Sequence, residues 1–290
     1  MLAYCTMTAN IEKNYQERIL NVLIHIQNHL DNELSLETLA DVAHFSAYHF
    51  HRIFTAYTGE SVKSYVRRLR LERATRDLLF TKLSLAHISE RAGYDTQQSF
   101  HRAFKEMFGI TPLEFQEKEQ RALFDHIKKS DAEPTVSVAI KKIDPITVVF
   151  KRNVGQANKI FETWLSFGTE IGLAHITAEK AQKITIPYDN AHITPTDKVR
   201  IDVCIGIDSL PDFKPSGDLG IQTIRGGKHA VITHHGSLET MEKTFELLFG
   251  IWLPKSGYEP DDHPNFILHH TIPILTRPDD MISDIYLPLK

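Results

Sequence analysis

Hydrophobic positions keep a helical period through about residue 125 and then change to alternation, which predicts two unlike domains. In the first stretch Tyr15, Ile19, Leu23, Ile26 and Leu30 form one stripe. They predict a helix from about Ile11 to Leu30, with the first ten residues loose. Two short helices follow, then a long one from Ser61 to about Phe80, then two more short helices. Thr111-Pro112-Leu113-Glu114 opens a closing helix toward Phe124: a threonine N-cap, proline at the first helical position and glutamate three residues on. Polar residues 126–134 predict a linker between a domain at 11–125 and one at 135–290.

Beyond the linker, Val136, Val138 and Ile140 alternate with polar neighbours, and Ile146–Phe150 reads as a buried strand. A helix is predicted over about Asn158–Leu173, then strands at Lys183–Tyr188 and Val199–Ile207. In the last of these Val199, Ile201, Val203, Ile205 and Ile207 share one face, and Asp202 and Cys204 the other. The order then recurs: strand Lys228–His235, helix Ser237–Trp252, strands Phe266–Leu275 and Ser283–Leu287. The pattern is strand-helix-strand-strand, twice, and the cleft between two such halves is a natural ligand site.

The N-terminal half also repeats itself. Phe50-His51-Arg52-Ile53-Phe54 returns as Phe100-His101-Arg102-Ala103-Phe104, each followed at the same distance by a glycine, Gly59 and Gly109. Each copy is two short helices joined by a tight turn (His44-Phe45, or Gly93-Tyr94-Asp95), which is the helix-turn-helix plan. The second helix buries Phe50, Ile53, Phe54 and Tyr57, or Phe100, Ala103, Phe104 and Met107. Its outward face carries Tyr48, His49, His51 and Arg52 in copy one, and Gln97, Gln98, His101 and Arg102 in copy two. Arginine suits guanine edges, glutamine adenine, and aromatic groups the thymine methyl. A single copy is as well explained by solvated surface helices; two copies with one core phrase favour double-stranded DNA as partner. Between Ser46 and Lys82 there are eight Lys/Arg against three Asp/Glu. This predicts a phosphate-neutralising stripe of Lys63, Arg67, Arg68, Arg70, Arg73 and Arg76 on a helix that docks both units.

Charge refines this picture. The whole chain carries 33 Lys+Arg and 37 Asp+Glu, a net of -4, so no global basic field advertises nucleic acid. Residues 1–130 hold 17 Lys/Arg against 16 Asp/Glu and the remainder 16 against 21, so a second nucleic-acid surface is not expected in the acidic half. Two distant cysteines, Cys5 and Cys204, make no disulfide framework and suit a reducing cytoplasm. No secretory signal is visible, and no run nears the roughly 18–20 apolar residues that span a bilayer.

Residues 15 to about 120 resemble the DNA-binding domain of AraC/XylS-family bacterial regulators. The carriers are Leu39-Ala40-Asp41-Val42-Ala43, the two Phe-His-Arg phrases, Ile88-Ser89-Glu90-Arg91-Ala92-Gly93-Tyr94 and Phe108-Gly109-Ile110-Thr111-Pro112. The resemblance implies seven helices, with Tyr48, His51 and Arg52, then Gln97, Gln98 and Arg102, facing bases. It puts Ser46 and Thr96 near phosphates. Residues 135–290 resemble GyrI-like effector-binding domains, on Arg200-Ile201-Asp202-Val203-Cys204, Gly226-Gly227-Lys228-His229-Ala230-Val231, Trp252-Leu253-Pro254-Lys255-Ser256-Gly257-Tyr258 and Ile285-Tyr286-Leu287-Pro288-Leu289-Lys290. The implied architecture is two domains: an all-α double helix-turn-helix domain, then an α+β domain of duplicated strand-helix-strand-strand units. The implied function is a transcription regulator that senses a small molecule, with RNA polymerase a candidate partner and no cofactor.

For the ligand the candidates are Phe161, Trp164, Tyr188, Trp252, Phe266 and His269, aromatic walls with a few polar groups. One departure stands out. Cation-binding members of the family carry Phe-Glu-x-Tyr where this chain has Phe266-Ile267-Leu268-His269, so the carboxylate that would pair a cation, or serve a hydrolase, is replaced by Ile267. No enzyme is expected; a hydrolase, or a protein-interaction or inhibitor module, is the alternative. Six histidines between His229 and His270 lack the spacing of a zinc site.

Overall fold

The computed structural model describes residues 2–128, 137–156, 159–209 and 213–290. Seven helices come first: α1 (Leu2–Asn28), α2 (Leu36–Val42), α3 (Ala47–Thr58), α4 (Val62–Phe80), α5 (Leu85–Arg91), α6 (Gln97–Phe108) and α7 (Pro112–Lys128). α1 therefore begins at Leu2, where the sequence predicted loose chain. The starts are set chemically. Ser35, Ser46, Ser61, Ser84 and Thr96 each accept from the backbone N–H three residues on. Thr111 and Glu114 cap each other reciprocally. Both turns use a left-handed residue, His44 (φ 54°) and Gly93 (φ 82°). α4 is shared: Val62, Tyr65, Val66 and Leu69 join the core of the first unit with Phe50 and Phe54. Leu71, Ala74 and Leu78 join that of the second with Phe100 and Phe104.

The second domain has strands β1 (Ala139–Ile143), β2 (Ile146–Val154), β3 (Lys183–Pro187), β4 (Arg200–Gly206), β5 (Leu219–Ile224), β6 (Gly227–His235), β7 (Phe266–His269) and β8 (Ile282–Pro288). They form one antiparallel sheet in the order β1-β6-β8-β7-β3-β4-β2-β5, so a pseudo-twofold axis falls between β7 and β3. β1 leads into β2 yet pairs with β6, while β5 leads into β6 yet pairs with β2. The halves thus exchange edge strands. Gly226 lies where the two connectors cross: a Cβ there would stand 2.7 Å from the Ile143 carbonyl oxygen and from the Pro145 nitrogen. β5 was not predicted, because Gly220 breaks its apolar run. The strand predicted over Phe266–Leu275 ends at His269. The predicted strand start at Val136 and helix start at Asn158 lie outside the described residues, as does most of the linker.

One face of the sheet is covered by helices. α8 (Ile160–Ile171) and α9 (Leu173–Thr177) close over Val149, Val203 and Ile205. α10 (Met241–Glu246), a π-helical stretch Leu247–Trp252 and α11 (Leu253–Ser256) close over Ala230, Ile232, Ile267 and Ile285. The opposite face holds Val148, Phe150, Ile184, Ile186, Cys204, Phe266 and Tyr286, and Leu20 of α1 packs into it. Among the described residues no helix is long and apolar enough to cross a membrane.

Candidate functional site

Two surfaces carry chemistry. On the first, α3 and α6 bury Phe50, Phe54, Phe100 and Phe104 completely and leave their other faces open. Tyr48 is 75 % exposed, and the Arg52 guanidinium lies 5.8 Å from its ring centroid. His51, Gln97, Gln98 and Arg102 are exposed as well. Ser46 and Thr96 sit at the helix starts with their hydroxyls engaged in capping. His101 departs from the expected face: it is half-buried, edge-on to Phe100, and its Nε2 is buried without a hydrogen-bond partner. His49 is likewise drawn inward, against Phe45 and Tyr15.

Most of the predicted basic stripe of α4 is engaged inside the protein, while Lys63 and Arg67 are exposed. Arg68 is buried and binds Glu60 and Glu72. Arg70 donates to the carbonyls of Leu30 and Asn32. Arg73 binds Asp31 and the Arg91 carbonyl, and Arg76 binds Asp262. Arg67 pairs with Glu106. Counting charges could not show this, since apart from Glu60 and Glu72 the partners are carbonyls and acids distant in sequence.

The second surface is the sheet face opposite α8–α11, and it has two related halves. In the first, Asp202 is 0 % exposed. It receives two bonds from Arg152, Nε at 2.7 Å and Nη2 at 2.8 Å. Gln222 Nε2 donates at 2.9 Å, and the Tyr188 hydroxyl lies 2.9 Å from the carboxylate and 3.0 Å from the Gln222 amide oxygen. Burial weakens the Arg152 cation, but Asp202 more than restores it, so the guanidinium pKa rises. Burial and the Asp202 charge push the Tyr188 hydroxyl and the Cys204 thiol well up, so both stay neutral.

The second half repeats the plan. Asp284 faces Thr233 across the ladder as Asp202 faces Arg152. His270 precedes Asp284 by the same 14 residues as Tyr188 precedes Asp202. Here the partners are weaker: Thr233 Oγ1 donates at 2.7 Å, His270 Nε2 lies at 3.1 Å and Lys141 Nζ at 3.5 Å. Burial pushes the Asp284 pKa up, but the bonds from Thr233 and His270 outweigh it and hold the carboxyl below its ordinary value. Lys141 and His270 are each 46 % exposed. An open depression of about 430 Å³ at the β1 edge is lined by Ser137, Ala139, Lys141, Val231, Ile232, Thr233 and Leu247, so it reaches from Lys141 round to the helix-covered side.

The six predicted ligand residues do not share one cleft. Tyr188 and Phe266 lie on this face, Phe266 stacked on Tyr286 at 4.6 Å. Trp164 projects from α8 into the core on the other side, and His269 meets it there because strand residues alternate and His269 is three on from Phe266. His269 bonds Thr185 and Ser283, and burial, then His270, push its pKa down to about 3. Trp252 stacks on Tyr258, and Phe161 is 52 % exposed on the surface of α8. Ile267 is core against the second set of helices, so the family's missing acid falls at an apolar site here. Sequence reasoning missed Arg152, Gln222 and Asp284. The signal was Asp202 itself, a charge inside an apolar strand. Among the described residues no group of three His, Cys, Asp or Glu side chains is placed to hold a metal.

The chain thus joins a helical domain of paired helix-turn-helix units to a domain built on one duplicated antiparallel sheet. The chain belongs to the GyrI-like small molecule binding domain family, matched over residues 137–290, and carries an AraC-type helix-turn-helix domain, matched over residues 39–118. The Tn10 TetD protein of Escherichia coli is 36% identical over 115 residues, 38% of this chain and 83% of TetD. The right origin-binding protein of Escherichia coli K12 is 34% identical over 106 residues, and the match spans only 37% of each chain. Among solved structures, EcmrR in its DNA complex aligns over 89% of this chain and 99% of its own at 14% identity, with a TM-score of 0.46. The AdpA DNA-binding domain bound to target DNA aligns over 37% of this chain and 96% of its own at 23% identity, with a TM-score of 0.35.

Proposed function

We propose that this protein is a transcription regulator that grips double-stranded DNA with α3 and α6 and responds to a small molecule at the sheet face opposite α8–α11. The observation that carries the reading is the matched pair of helices, each with a buried Phe-x-x-x-Phe core and an exposed arginine two residues after its first phenylalanine. Tyr48, His51 and Arg52, with Gln97, Gln98 and Arg102, read base edges; Ser46 and Thr96 approach the backbone. His101 is left out of this set. The predicted domains at 11–125 and 135–290 are kept, with the first widened to take in α1 from Leu2 and α7 to Lys128, so that the linker predicted at 126–134 begins after Lys128.

Selection of bound fragments from genomic DNA, beside Arg52→Ala/Arg102→Ala, tests the reading. A shared motif of about two major-groove turns that the double variant fails to enrich is expected. Equal recovery by both proteins would refute it.

The effector seat is the Asp284 half. Its carboxylate has weaker, more exposed partners than Asp202, and Lys141 Nζ lies 5.6 Å from the Tyr286 ring centroid. A cationic aromatic compound would displace Lys141 there. Thermal shift against a panel of such compounds, beside Asp284→Asn, checks it, because only a true ligand stabilises by mass action. Shifts that survive the substitution would remove the seat from Asp284. Relatives named as regulators support a non-enzymatic role, and a turnover screen of the whole chain against small esters and amides tests that.

A further inference from the structure

α1 has two buried faces. Ile19, Val22, Leu23 and Ile26 belong to the core of the first helix-turn-helix unit. Leu20, 2 % exposed, and Ile24 belong to the sensor face, beside Phe150, Ile184 and Tyr188. Gln27 accepts from Arg152 Nη2 at 3.2 Å, so α1 also touches the Asp202 network. Gly220 makes room for this seat: a Cβ there would lie 3.1 Å from Leu20 Cδ2 and 2.6 Å from the Phe150 ring. The first half of the sensor face is thus filled by the chain's own helix.

Most other contacts follow the same division, although Ile193 of the first half also packs against the core of the second unit. From the first half, Lys198 donates to the Thr58 carbonyl at 2.8 Å, at the end of α3, and lies 3.8 Å from Glu60. Thr194 bonds Glu72 in the middle of α4. From the second half, Asp262 binds Arg91 of α5 at 2.8 Å and Arg76 of α4 at 3.3 Å. Phe249 packs on Phe80 with ring centroids 4.8 Å apart.

We propose that each half of the sensor holds one helix-turn-helix unit: the first seats α1 and the end of α3 on the Asp202 socket, and the second clamps α5 through Asp262. The relative setting of α3 and α6 then depends on the angle between the sensor halves as well as on α4. A ligand on the sheet face alters that angle, and it need touch neither recognition helix to do so. The Arg91 and Arg76 guanidiniums beside the exposed Asp262 favour its charged form over the cost of desolvation, and its pKa falls accordingly. The geometric claim stands without DNA; only its consequence for operator reading rests on the function proposed above.

The test is a spin-label distance between Ala56 on α3 and Lys105 on α6, both exposed, replaced by cysteine in a Cys5→Ser full chain whose Cys204 is buried. The parent should give a single narrow distance. Asp262→Ala should lose it to a broad distribution with unchanged circular dichroism, Asp262→Glu should keep it, and Lys198→Met should broaden it from the other side. An unchanged distribution in both Asp262→Ala and Lys198→Met would overturn the proposal, leaving α4 alone to set the spacing. If Asp262→Ala loses its fold, Lys198→Met decides the matter. DNA selection by the parent reports separately on the reading of α3 and α6.

Discussion

Replacing Arg152 by methionine tests whether the Asp202 network is held together as described. Asp202 is fully buried and takes both of its strongest bonds from the guanidinium. Truncating one partner strands the other as an unpaired charge, at a cost of about 3–5 kcal/mol. Asp202→Leu should cost a similar amount, because Arg152 would then be the stranded ion. The double replacement should cost far less than the sum. Tyr188 and Gln222 already lie within hydrogen-bond distance and can satisfy each other, leaving a penalty of about 1–2 kcal/mol against apolar packing that repays part of it. Coupling of roughly 3 kcal/mol or more is therefore expected. Denaturation followed by tryptophan fluorescence is the assay, since both tryptophans, Trp164 and Trp252, lie in the sensor domain. Additive single losses would refute the account.

His269 is buried neutral with its pKa near 3, below the ordinary 6.5, so the unfolded chain binds the proton first as pH falls. Stability should drop by roughly 1 kcal/mol per pH unit from about 6.5 toward 3, and His269→Gln should flatten that slope in acid denaturation series. An identical slope in the variant would remove His269 as the cause. Arg70→Ala should cost about 1–3 kcal/mol of stability, read by thermal melting, and leave the salt dependence of DNA binding unchanged. Arg102→Ala should do the reverse, costing about 1–3 kcal/mol in DNA binding and relaxing one base position, read on selected against scrambled DNA. Gly226→Ala should destabilise by about 1–3 kcal/mol or more, because its methyl meets backbone atoms that have little freedom to retreat.

The helical half was largely legible in the sequence. Caps, breaks and the Phe-x-x-x-Phe spacing are local, and local chemistry decides where α2 to α7 begin and end. What sequence reasoning misjudged there was the destination of charge. Arg68, Arg70, Arg73 and Arg76 look solvated in a count but bind carbonyls and acids brought near by folding. In the sensor the strands were legible through alternation, except β5, where Gly220 serves the seat of Leu20 and interrupts the apolar run. The ligand face was harder. Phe266 and His269 stand three apart on one strand and so take opposite sides of the sheet, and which side faces α8 is set only by the fold. His269 was chosen as a polar wall group and instead is satisfied inside the core by Thr185 and Ser283.

The exchange of β1 and β5 has a consequence for how this protein can be divided. Each half of the sensor is finished by a strand that belongs, along the chain, to the other. A fragment ending between β4 and β5 would expose the long flank of β2 to solvent, and one beginning at β6 would expose the flank of β6 itself. Such bare strands recruit other chains. Neither half is a portable module, then. A chimera that trades ligand specificity has to take residues 137–290 whole, and a proteolytic nick in the β4–β5 connection should leave two pieces still bound to each other through both exchanged edges.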